Sequence, residues 1–388
     1  MPVVNRIADM QPEIAAWRRD LHVHPEVGYD LDRTAGFVVQ KLTEFGCDEV
    51  VPGIGKSGVV AVIRGRKGAS GKSIGLRADM DALPIMEITG LPYASQTPGK
   101  MHACGHDGHT SMLLGAAKYL CETRNFDGEA VLIFQPAEEG GAGAKAMIDD
   151  GLMQRWKIDE VYGMHNMPGI PVGQFAINPG PMMAATDHLR LDIEGRGSHA
   201  AKPNLSIDPV LIGCQFGSAA QAVVARNIDP LESAVVSICV FQAGDAFNVI
   251  PQTASMVGTI RTLKQSVRER VYERLTTLAD GLARQHGATL NLQLEGGYPP
   301  TVNHVQQAGF AGHVAAGVAG ASNVDHNVLP MMGGEDFAFM LEARPGAFIF
   351  LGNGDTAGLH HPAYDFSDTA IPAGVSYWVR LVETAMPV

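Results

Sequence analysis

Residues 131–139, VLIFQPAEE, decide the fold of the first part of the chain. The run Val131–Phe134 predicts a short buried strand, and the proline and two carboxylates after it mark its end. Similar apolar runs lie at Gly58–Ile63, Ser73–Leu76, Glu160–Met164 and Ala347–Leu351. Apolar residues with helical spacing alternate with these runs, over 11–22, 33–46, 108–122 and 141–150. This alternation predicts an α/β layer architecture, in which functional loops leave the strand ends.

The middle of the chain follows a different order of elements. Polar and apolar residues alternate over 187–194, which predicts a strand, and Asp208 with Pro209 marks the start of a helix over 208–228. Two strands, a helix and a last strand are predicted to follow, near 233–242, 253–262, 265–286 and Thr289–Leu294. The order β-α-β-β-α-β is that of a ferredoxin-like α+β module. We therefore expect an α/β domain over 1–183 and 297–388, interrupted by an inserted domain over 184–296.

Composition excludes several classes of partner. The chain has 388 residues, of which 46% are hydrophobic and 18% charged, as in an ordinary soluble globular protein. A formal net charge of −12 argues against nucleic acid and anionic membranes as partners. Apolar runs stay well short of the roughly 20 residues that span a bilayer. Small molecules remain the expected partners.

The cysteines and the N-terminus bear on location. The five cysteines are odd in number and scattered, which indicates free thiols in a reducing compartment. Apart from Cys104, they are expected to be buried small hydrophobes: Cys47, Cys121, Cys214 and Cys239. The segment Met1–Arg6 lacks a basic region followed by an apolar core, so a secretory signal is not expected. The predicted location is cytoplasmic.

The stretch 102–109, HACGHDGH, carries the densest set of reactive side chains in the chain. A thiol among imidazoles is a ligand set for Zn²⁺, Co²⁺, Ni²⁺ or Mn²⁺. Cys104 and His106 can converge on one point only if the backbone turns sharply at Gly105, which tolerates positive φ. A polar loop with solvated histidines is the alternative that this stretch alone leaves open.

Further ligand types recur where predicted strands end. Glu138 and Glu139 are adjacent carboxylates, which repel each other unless a cation or a proton separates them. One can bind metal while the other acts as a base, although a solvated acidic helix start is the simpler interpretation of the pair alone. His165 and His360 also follow strands, and each taken singly fits a hydrogen-bonded surface residue equally well. Their recurrence at successive strand ends is what a metal site with two ions requires.

Five motifs in register carry a family resemblance over essentially the whole chain. They are Arg77–Pro84 (RADMDALP), His102–His109, Gln135–Glu139, Gly333–Phe337 (GGEDF) and Leu359–Pro362 (LHHP). The sequence resembles the amidohydrolase branch of the carboxypeptidase-G2-like metallopeptidases. That branch includes hippurate hydrolases, N-acyl-amino-acid amidohydrolases and auxin-conjugate hydrolases. The resemblance implies that 1–183 and 297–388 form a zinc-peptidase-like α/β catalytic domain, and that 184–296 form an inserted ferredoxin-like lid and dimerisation domain.

Carried over residue by residue, the resemblance implies a site for two divalent metal ions. Cys104 would bridge the ions, and the other ligands would be His106, Glu139, His165 and His360. Glu138 would be the general base that takes a proton from a metal-bound water and passes it to the leaving amine. Asp81 would lie behind the site and orient a ligand.

The chain departs from the wider peptidase family at two ligand positions. Asp79 stands where many relatives have a histidine ligand, and Cys104 stands where they have a bridging aspartate. His106 would supply the lost nitrogen. These departures leave open which metal is native (zinc, manganese, cobalt or nickel) and whether the second site is filled.

The resemblance also assigns residues in the inserted domain and the C-terminal segment. His199 would polarise the scissile carbonyl, and in the family this residue often comes from the neighbouring subunit; a surface or helix-capping histidine is the alternative. Asn248 and Arg261 would bind the free carboxylate of the substrate, because the planar guanidinium can pair both oxygens. Gly334 would let the backbone approach the substrate.

The predicted function is metal-dependent hydrolysis of the amide bond of N-acyl amino acids, hippurate-like or N-acetylated, to a carboxylic acid and a free amino acid. The enzyme is expected to be a homodimer, or a tetramer built from such dimers. Two alternatives remain: a dipeptidase or carboxypeptidase with the same metal mechanism, and a catalytically silent relative that binds metal or ligand. A base beside a metal ligand, as at Glu138 and Glu139, argues against the silent relative.

Overall fold

The computed structural model describes residues 5–67 and 70–388. Its α-helices are α1 Asn5–Val23, α2 Asp32–Phe45, α3 His106–Thr123, α4 Gly143–Asp149, α5 Leu152–Arg155, α6 Pro209–Asn227, α7 Gln265–His286, α8 Val305–Ala319, α9 Ala338–Ala343 and α10 Ile371–Ala385. Its strands are β1 Glu49–Ile54, β2 Gly58–Arg64, β3 Ser73–Asp79, β4 Glu129–Gln135, β5 Glu160–Pro168, β6 Phe175–Ala176, β7 Pro181–Met183, β8 Ala185–Glu194, β9 Ser198–His199, β10 Ala234–Ala243, β11 Val249–Ile250, β12 Thr253–Thr262, β13 Thr289–Gly296, β14 Thr301–Val302, β15 Val324–Asp325 and β16 Gly346–Gly354. The chain forms two compact units.

The first unit contains the residues up to Gly180 together with Val302–Leu329 and Asp336–Val388. Its eight-stranded sheet has the order β1-β2-β4-β3-β5-β16-β6-β15. The central pairs β4–β3, β3–β5 and β5–β16 are parallel, so their carboxyl ends meet at one edge. Strand β16 lies beside β5, so the C-terminal segment completes the sheet that the N-terminal part begins. The predicted α/β layer architecture is confirmed.

Helix α3 lies in the centre of this unit. It packs against α1, α2 and α10, and its residues from His106 to Ala117 are all buried. The sequence explains this burial, because small residues such as Gly108 and Gly115 let neighbouring side chains approach; a Cβ on Gly115 would lie 2.6 Å from Ile14 Cδ1. Burial of the first turn carries the polar motif at 106–109 into the interior, beside the strand ends.

The second unit comprises Pro181–Thr301 and Pro330–Glu335. Its antiparallel sheet has the order β10-β12-β8-β13, and α6 and α7 cover one face. Burial alternates along β8, whose inward residues Leu189, Leu191 and Ile193 form the core with apolar residues of both helices. Asp208 caps α6 by accepting hydrogen bonds from the backbone N–H groups of Val210 (2.9 Å) and Leu211 (3.3 Å). The ferredoxin-like order of elements is therefore present.

The segment 330–335 contacts the second unit through its backbone. Met331 N donates to Met182 O (2.9 Å), and Ala184 N donates to Gly333 O (2.9 Å). Sequence periodicity had placed this segment in the second part of the catalytic domain. Residues far apart in the sequence form these hydrogen bonds, and such contacts do not affect the periodicity of either segment. The sequence therefore could not show that residues 330–335 belong to the second unit.

The expectation for two cysteines is wrong. Cys214 and Cys239 are exposed, while Cys47 and Cys121 are half-buried. Cys239 lies where the register of β10 against β12 shifts, and β10 is an edge strand of its sheet. Apolar neighbours in the sequence do not show which face of an element is covered. Within residues 5–67 and 70–388, no helix is long and apolar enough to cross a membrane.

Candidate metal centre

The turn before α3 brings Cys104 and His106 to one point. Gly105 adopts a left-handed conformation, with φ at 86°. A Cβ at this position would collide with the side chains of Asn166 and Tyr364, so glycine is required both for the turn and for the close packing. Cys104 is buried, and its Sγ lies 3.3 Å from Nε2 of His165, which belongs to β5.

The Gly105 turn provides a stability prediction. Gly105→Ala should lower the free energy of unfolding by about 3 kcal/mol, because a strained left-handed residue and an overpacked side chain add their costs. Gly99→Ala is the matched control, since Gly99 has a φ of 78° with nothing within 4 Å of its Cβ position. It should cost only about 1–2 kcal/mol. Denaturant unfolding of both variants measures the difference, and equal losses would contradict the packing argument.

The carboxylates at the end of β4 are oriented by Asp81. The backbone N–H of Glu138 donates to Asp81 Oδ1 (3.0 Å), and that of Glu139 donates to Asp81 Oδ2 (3.1 Å). Ala137, just before them, has a positive φ of 52°, which turns the chain sharply after the strand. Asp81 therefore holds the loop that presents both glutamates.

His360 reaches the cluster from the C-terminal segment. Its backbone adopts a φ of 63°, and its N–H donates to Ala103 O (2.8 Å). Its Nε2 lies 3.2 Å from Glu139 Oε1, and 52% of its side chain is exposed. His361 points elsewhere, because its Nδ1 accepts a hydrogen bond from Ala363 N (3.1 Å).

The five predicted ligands thus come together in the first unit, with Glu138 beside them. Three overlapping groups each have their ligand atoms within 4.8 Å of one another: Cys104, His106 and His165; Cys104, Glu139 and His360; and His106, Glu138 and Glu139. Both ring nitrogens of His106 are buried without a well-formed hydrogen bond to any of the described residues. Buried polar atoms of this kind require a partner, and sulfur, imidazole and carboxylate donors fit a divalent transition metal.

The electrostatics of the cluster favour a cation. Burial alone would lower the pKa of His106, but Asp79, Asp81 and Glu139 outweigh it and raise that pKa to about 10. Burial, together with Glu139 and Glu138, raises the pKa of the Cys104 thiol well above its usual range. The surplus of negative charge thus holds protons on His106 and Cys104. A divalent ion that displaces these protons would neutralise the same charge.

Sequence reasoning gave no role to His109 or Asn166, which line the back of the cluster. Nδ1 of His109 lies 2.6 Å from Asp79 Oδ1, and its Nε2 accepts a hydrogen bond from Asn166 N (2.9 Å). Both ring nitrogens are therefore engaged, which removes His109 as a ligand. Asn166 Nδ2 donates to Cys104 O (2.6 Å), and Tyr364 Oη donates to Asn166 Oδ1 (2.6 Å). The position of Asn166 directly after the predicted ligand His165 was the one feature of the sequence that could have indicated its role.

A buried hydrogen-bond network around Arg77 connects Asp79 to neighbouring segments of the first unit. Arg77 donates to Asp79 Oδ2 (2.7 Å), to Gln135 Oε1 (2.8 Å) and to Asp336 Oδ1 (3.0 Å), and all four residues are buried. Burial would raise the pKa of Asp79, but His106, Arg77 and His109 hold it well below its usual range. This network keeps Asp79 ionised 3.7 Å from His106 Nε2.

The remaining predicted site residues lie in the second unit. His199, on β9, is exposed, and its Nδ1 accepts a hydrogen bond from Ala201 N (3.0 Å). Asn248 is exposed next to β11, the strand that pairs with β9, and its carbonyl accepts from Ala200 N (3.0 Å). Arg261, on β12, is half-buried; burial lowers its pKa against the opposing effect of Asp187. A Cβ on Gly334 would collide with Thr186, so this glycine is needed for packing within its own unit.

A mixed α/β sheet whose central strands are parallel, with thiol, imidazole and carboxylate groups gathered at the ends of those strands, is typical of a metallohydrolase. The chain belongs to the peptidase family M20/M25/M40, whose sequence profile matches residues 75–384, and it is a hydrolase that acts on amide bonds. The family resemblance noted from the motifs is confirmed.

Relatives of known name are similar over nearly the full chain. A hippurate hydrolase of Campylobacter jejuni is 43% identical, over 98% of this chain and 98% of its own. An N-acetyl-L-cysteine deacetylase of Bacillus subtilis is 41% identical, over 94% of this chain and 86% of its own. Among solved structures, a dinuclear metal-binding peptidase of the M20 family from Bacillus subtilis superposes with a TM-score of 0.86 at 34% identity, covering 98% of this chain and 99% of its own.

Proposed function

We propose that this chain hydrolyses the amide bond of N-acyl amino acids, hippurate-like or N-acetylated, to a carboxylic acid and a free amino acid. The observation that carries the proposal is the cluster of five ligand-type side chains, of which only His360 is exposed, with an additional carboxylate, Glu138, at its edge. The similarity to a hippurate hydrolase and to an N-acetyl-L-cysteine deacetylase supports this substrate class.

The cluster would hold two divalent ions, from zinc, manganese, cobalt or nickel. Cys104, His106, Glu139, His165 and His360 are the ligands we propose. Such ions supply Lewis acidity, which polarises a carbonyl and makes water a nucleophile at neutral pH. Nδ1 of His165 lies 2.6 Å from the carbonyl oxygen of Asn166, to which it would donate. This contact places the proton on Nδ1 and leaves Nε2 as the donor atom toward the ion.

Glu138 is the base that we propose for the reaction. A carboxylate oxygen of Glu138 lies within 4.8 Å of ligand atoms of His106 and Glu139, and Glu138 is buried. It would take a proton from the attacking water and return it to the leaving nitrogen. Asp81 would act as a positioning residue, because it accepts the backbone N–H groups of both Glu138 and Glu139. A shift of this loop would move base and ligand together.

The second unit would bind and polarise the substrate. Because Nδ1 of His199 accepts the Ala201 N–H, a neutral ring carries its proton on Nε2 and can donate to a carbonyl oxygen as it becomes negative. Arg261 would pair the free carboxylate of the substrate, assisted by the Asn248 amide. Gly334 would provide backbone for contact with the substrate.

A substrate panel tests the proposed function. Protein stripped of metal and reloaded with Zn²⁺, Mn²⁺, Co²⁺ or Ni²⁺ should cleave N-acyl amino acids, and the metal that restores turnover identifies the preferred ion. Cleavage of dipeptides alone would replace the proposal by a dipeptidase or carboxypeptidase. Metal binding without cleavage of any member of the panel would favour a silent relative.

We also propose a homodimer formed through the second unit. Apolar side chains are exposed on and around the start of α6 and the edge strand β10, where Leu211 is 51% and Phe241 40% exposed. Nearby in the sequence, Phe247 and Val249 are also exposed. An exposed apolar patch next to a free strand edge is typical of a protein–protein interface.

Charge on this patch should separate the subunits. Leu211→Lys is expected to convert the dimer to single chains in sedimentation or light scattering, because a desolvated ammonium opposes the interface. Leu329→Lys is the control, since Leu329 is 82% exposed in the first unit. An unchanged mass for Leu211→Lys would argue against this face.

Mixing inactive variants tests whether His199 acts across that dimer. His199→Ala and Glu138→Gln should each be nearly inactive, and subunit exchange should restore part of the turnover, because a hybrid dimer contains one intact site if His199 comes from the neighbouring subunit. Mass spectrometry should verify that hybrid dimers have formed. If hybrid dimers form but no activity returns, His199 acts in the active site of its own subunit.

The location that we propose is cytoplasmic. The cysteines at 47, 104, 121, 214 and 239 are all free thiols, as a reducing compartment favours. Fractionation of cells that make the protein tests this location, and recovery with extracytoplasmic markers would contradict it.

A further inference from the structure

Two cysteines far from the metal centre lie in contact. Sγ of Cys47 and Sγ of Cys121 are 3.6 Å apart, although 74 positions separate them in the sequence. Both residues are half-buried, so a small oxidant can reach them. Neither residue belongs to the ligand cluster or to the proposed substrate contacts, so the proposed function gives this pair no role.

The backbone around both thiols is held in place. Gly46 caps the end of helix α2 with a left-handed φ of 78°, and Cys47 N donates to Leu42 O (3.2 Å). Cys121 lies in the last turn of α3. Arg124, just beyond α3, donates to Gly46 O (2.9 Å) and to Asp48 Oδ2 (2.6 Å). The arginine therefore joins the segment on both sides of Cys47 to the end of the helix that carries Cys121.

The same contacts favour reactivity at one sulfur. The contact with the Cys47 thiol lowers the pKa of the Cys121 thiol, and Arg124 adds to the effect against the opposing burial. The pKa of Cys47 is raised by the same hydrogen bond and by burial. The thiolate is the reactive form toward peroxides, so Cys121 is the sulfur that reacts first.

We propose that Cys47 and Cys121 form a redox-modification site, at which a hydroperoxide reversibly converts the two thiols into a disulfide. The Cys121 sulfur attacks the peroxide oxygen, breaking the O–O bond and giving a sulfenic acid and water when hydrogen peroxide is the oxidant. The Cys47 sulfur then attacks the Cys121 sulfur, forming the S–S bond and releasing a second water. Two electrons pass from the sulfurs to the peroxide, and a dithiol reductant returns them.

The disulfide is compatible with the packing. An S–S bond of about 2.05 Å requires the two sulfurs to approach by roughly 1.5 Å, which rotation about the Cα–Cβ bonds can supply. The bond would close a long loop and tie the end of α2 to the end of α3, which stabilises the folded unit by restricting the unfolded chain. His106, at the opposite end of α3, lies about 22 Å along the helix axis from Cys121. Turnover should therefore be unaffected.

Peroxide treatment of the metal-loaded, full-length protein tests the proposal. Alkylation followed by non-reducing peptide mapping should show a Cys47–Cys121 linked peptide, which dithiothreitol removes. The melting temperature should rise by a few degrees on oxidation and fall back on reduction, with hydrolysis unchanged. Cys47→Ser and Cys121→Ser should each lose the linked peptide and the shift in melting temperature, whereas Cys214→Ser, at an exposed single thiol, should keep both.

Three outcomes would overturn the proposal. The first is that Cys47 and Cys121 remain open to alkylation at a peroxide concentration that oxidises glutathione in the same solution. The second is that Cys47 or Cys121 forms mixed disulfides with other thiols instead of the linked peptide. The third is a linked peptide that leaves the melting temperature unchanged. Because none of these readouts requires hydrolysis of a substrate, failure here is distinct from failure of the proposed function.

Discussion

Glu138→Gln is expected to lower kcat by about 10³-fold while the metal content of the protein stays unchanged. The amide keeps the size of the side chain but cannot accept a proton from water, so only the proton transfer is lost. The backbone N–H of residue 138 still donates to Asp81, and the loop should keep its position. Steady-state kinetics on an N-acyl amino acid, with metal content measured on the same sample, separate loss of the base from loss of metal.

Glu129→Gln is the matched control for this change. Glu129 lies at the opposite end of β4 from Glu138, where it pairs with Arg64 at the surface. An exposed ion pair contributes little to stability, so this variant should retain wild-type turnover. Turnover of Glu138→Gln within a few fold of wild type would assign the base to another residue.

His106→Ala should abolish metal binding and hydrolysis together. A ring nitrogen of His106 lies within 4.8 Å of ligand atoms of Cys104 and His165, and also within 4.8 Å of carboxylate oxygens of Glu138 and Glu139. Loss of His106 therefore removes a ligand that belongs to both groups. It also leaves Asp79 and Asp81, both buried, without the imidazole that faces them at 3.7 Å and 3.5 Å. We expect the bound metal to fall toward zero and activity to drop to background. Metal analysis and kinetics measure both.

Two controls accompany the His106→Ala experiment: the variant His361→Ala and removal of metal from the wild type with a chelator. His361→Ala removes the neighbour of His360. Nδ1 of His361 accepts a hydrogen bond from Ala363 N, and His361 belongs to none of the ligand groups found among the described residues, so the metal content should be unchanged. If His106→Ala does not fold, a chelator applied to the wild type gives the same test: activity should disappear and return when metal is added. Full turnover after complete removal of metal would refute a metal-dependent reaction.

Much of the catalytic unit could be predicted from local patterns. Strands β2, β3, β4, β5 and β16 lie where short apolar runs occur, and α6 begins at its predicted cap. Helices α8 and α10 received no assignment. Helix α8 carries no Asp, Glu, Lys or Arg and has only a weak amphipathic pattern. The amphipathic pattern of α10 is clear, so its sequence did carry a usable signal. Strand β1 was also missed, since its burial pattern, exposed around Gly53, gives no regular alternation. Periodicity reports an element only when one face is polar and the other apolar.

The sequence by itself determined the types of ligand, the order of the motifs and the family, because these depend on residue identity and spacing along the chain. Only the tertiary structure decided which groups are free to bind metal. His109 is engaged by Asp79 and Asn166, and His360 rather than His361 faces Glu139. It also brought Cys47 to Cys121 and left Cys214 and Cys239 exposed. These outcomes depend on side-chain partners from distant segments, and packing in three dimensions creates those partners without a local sequence signal.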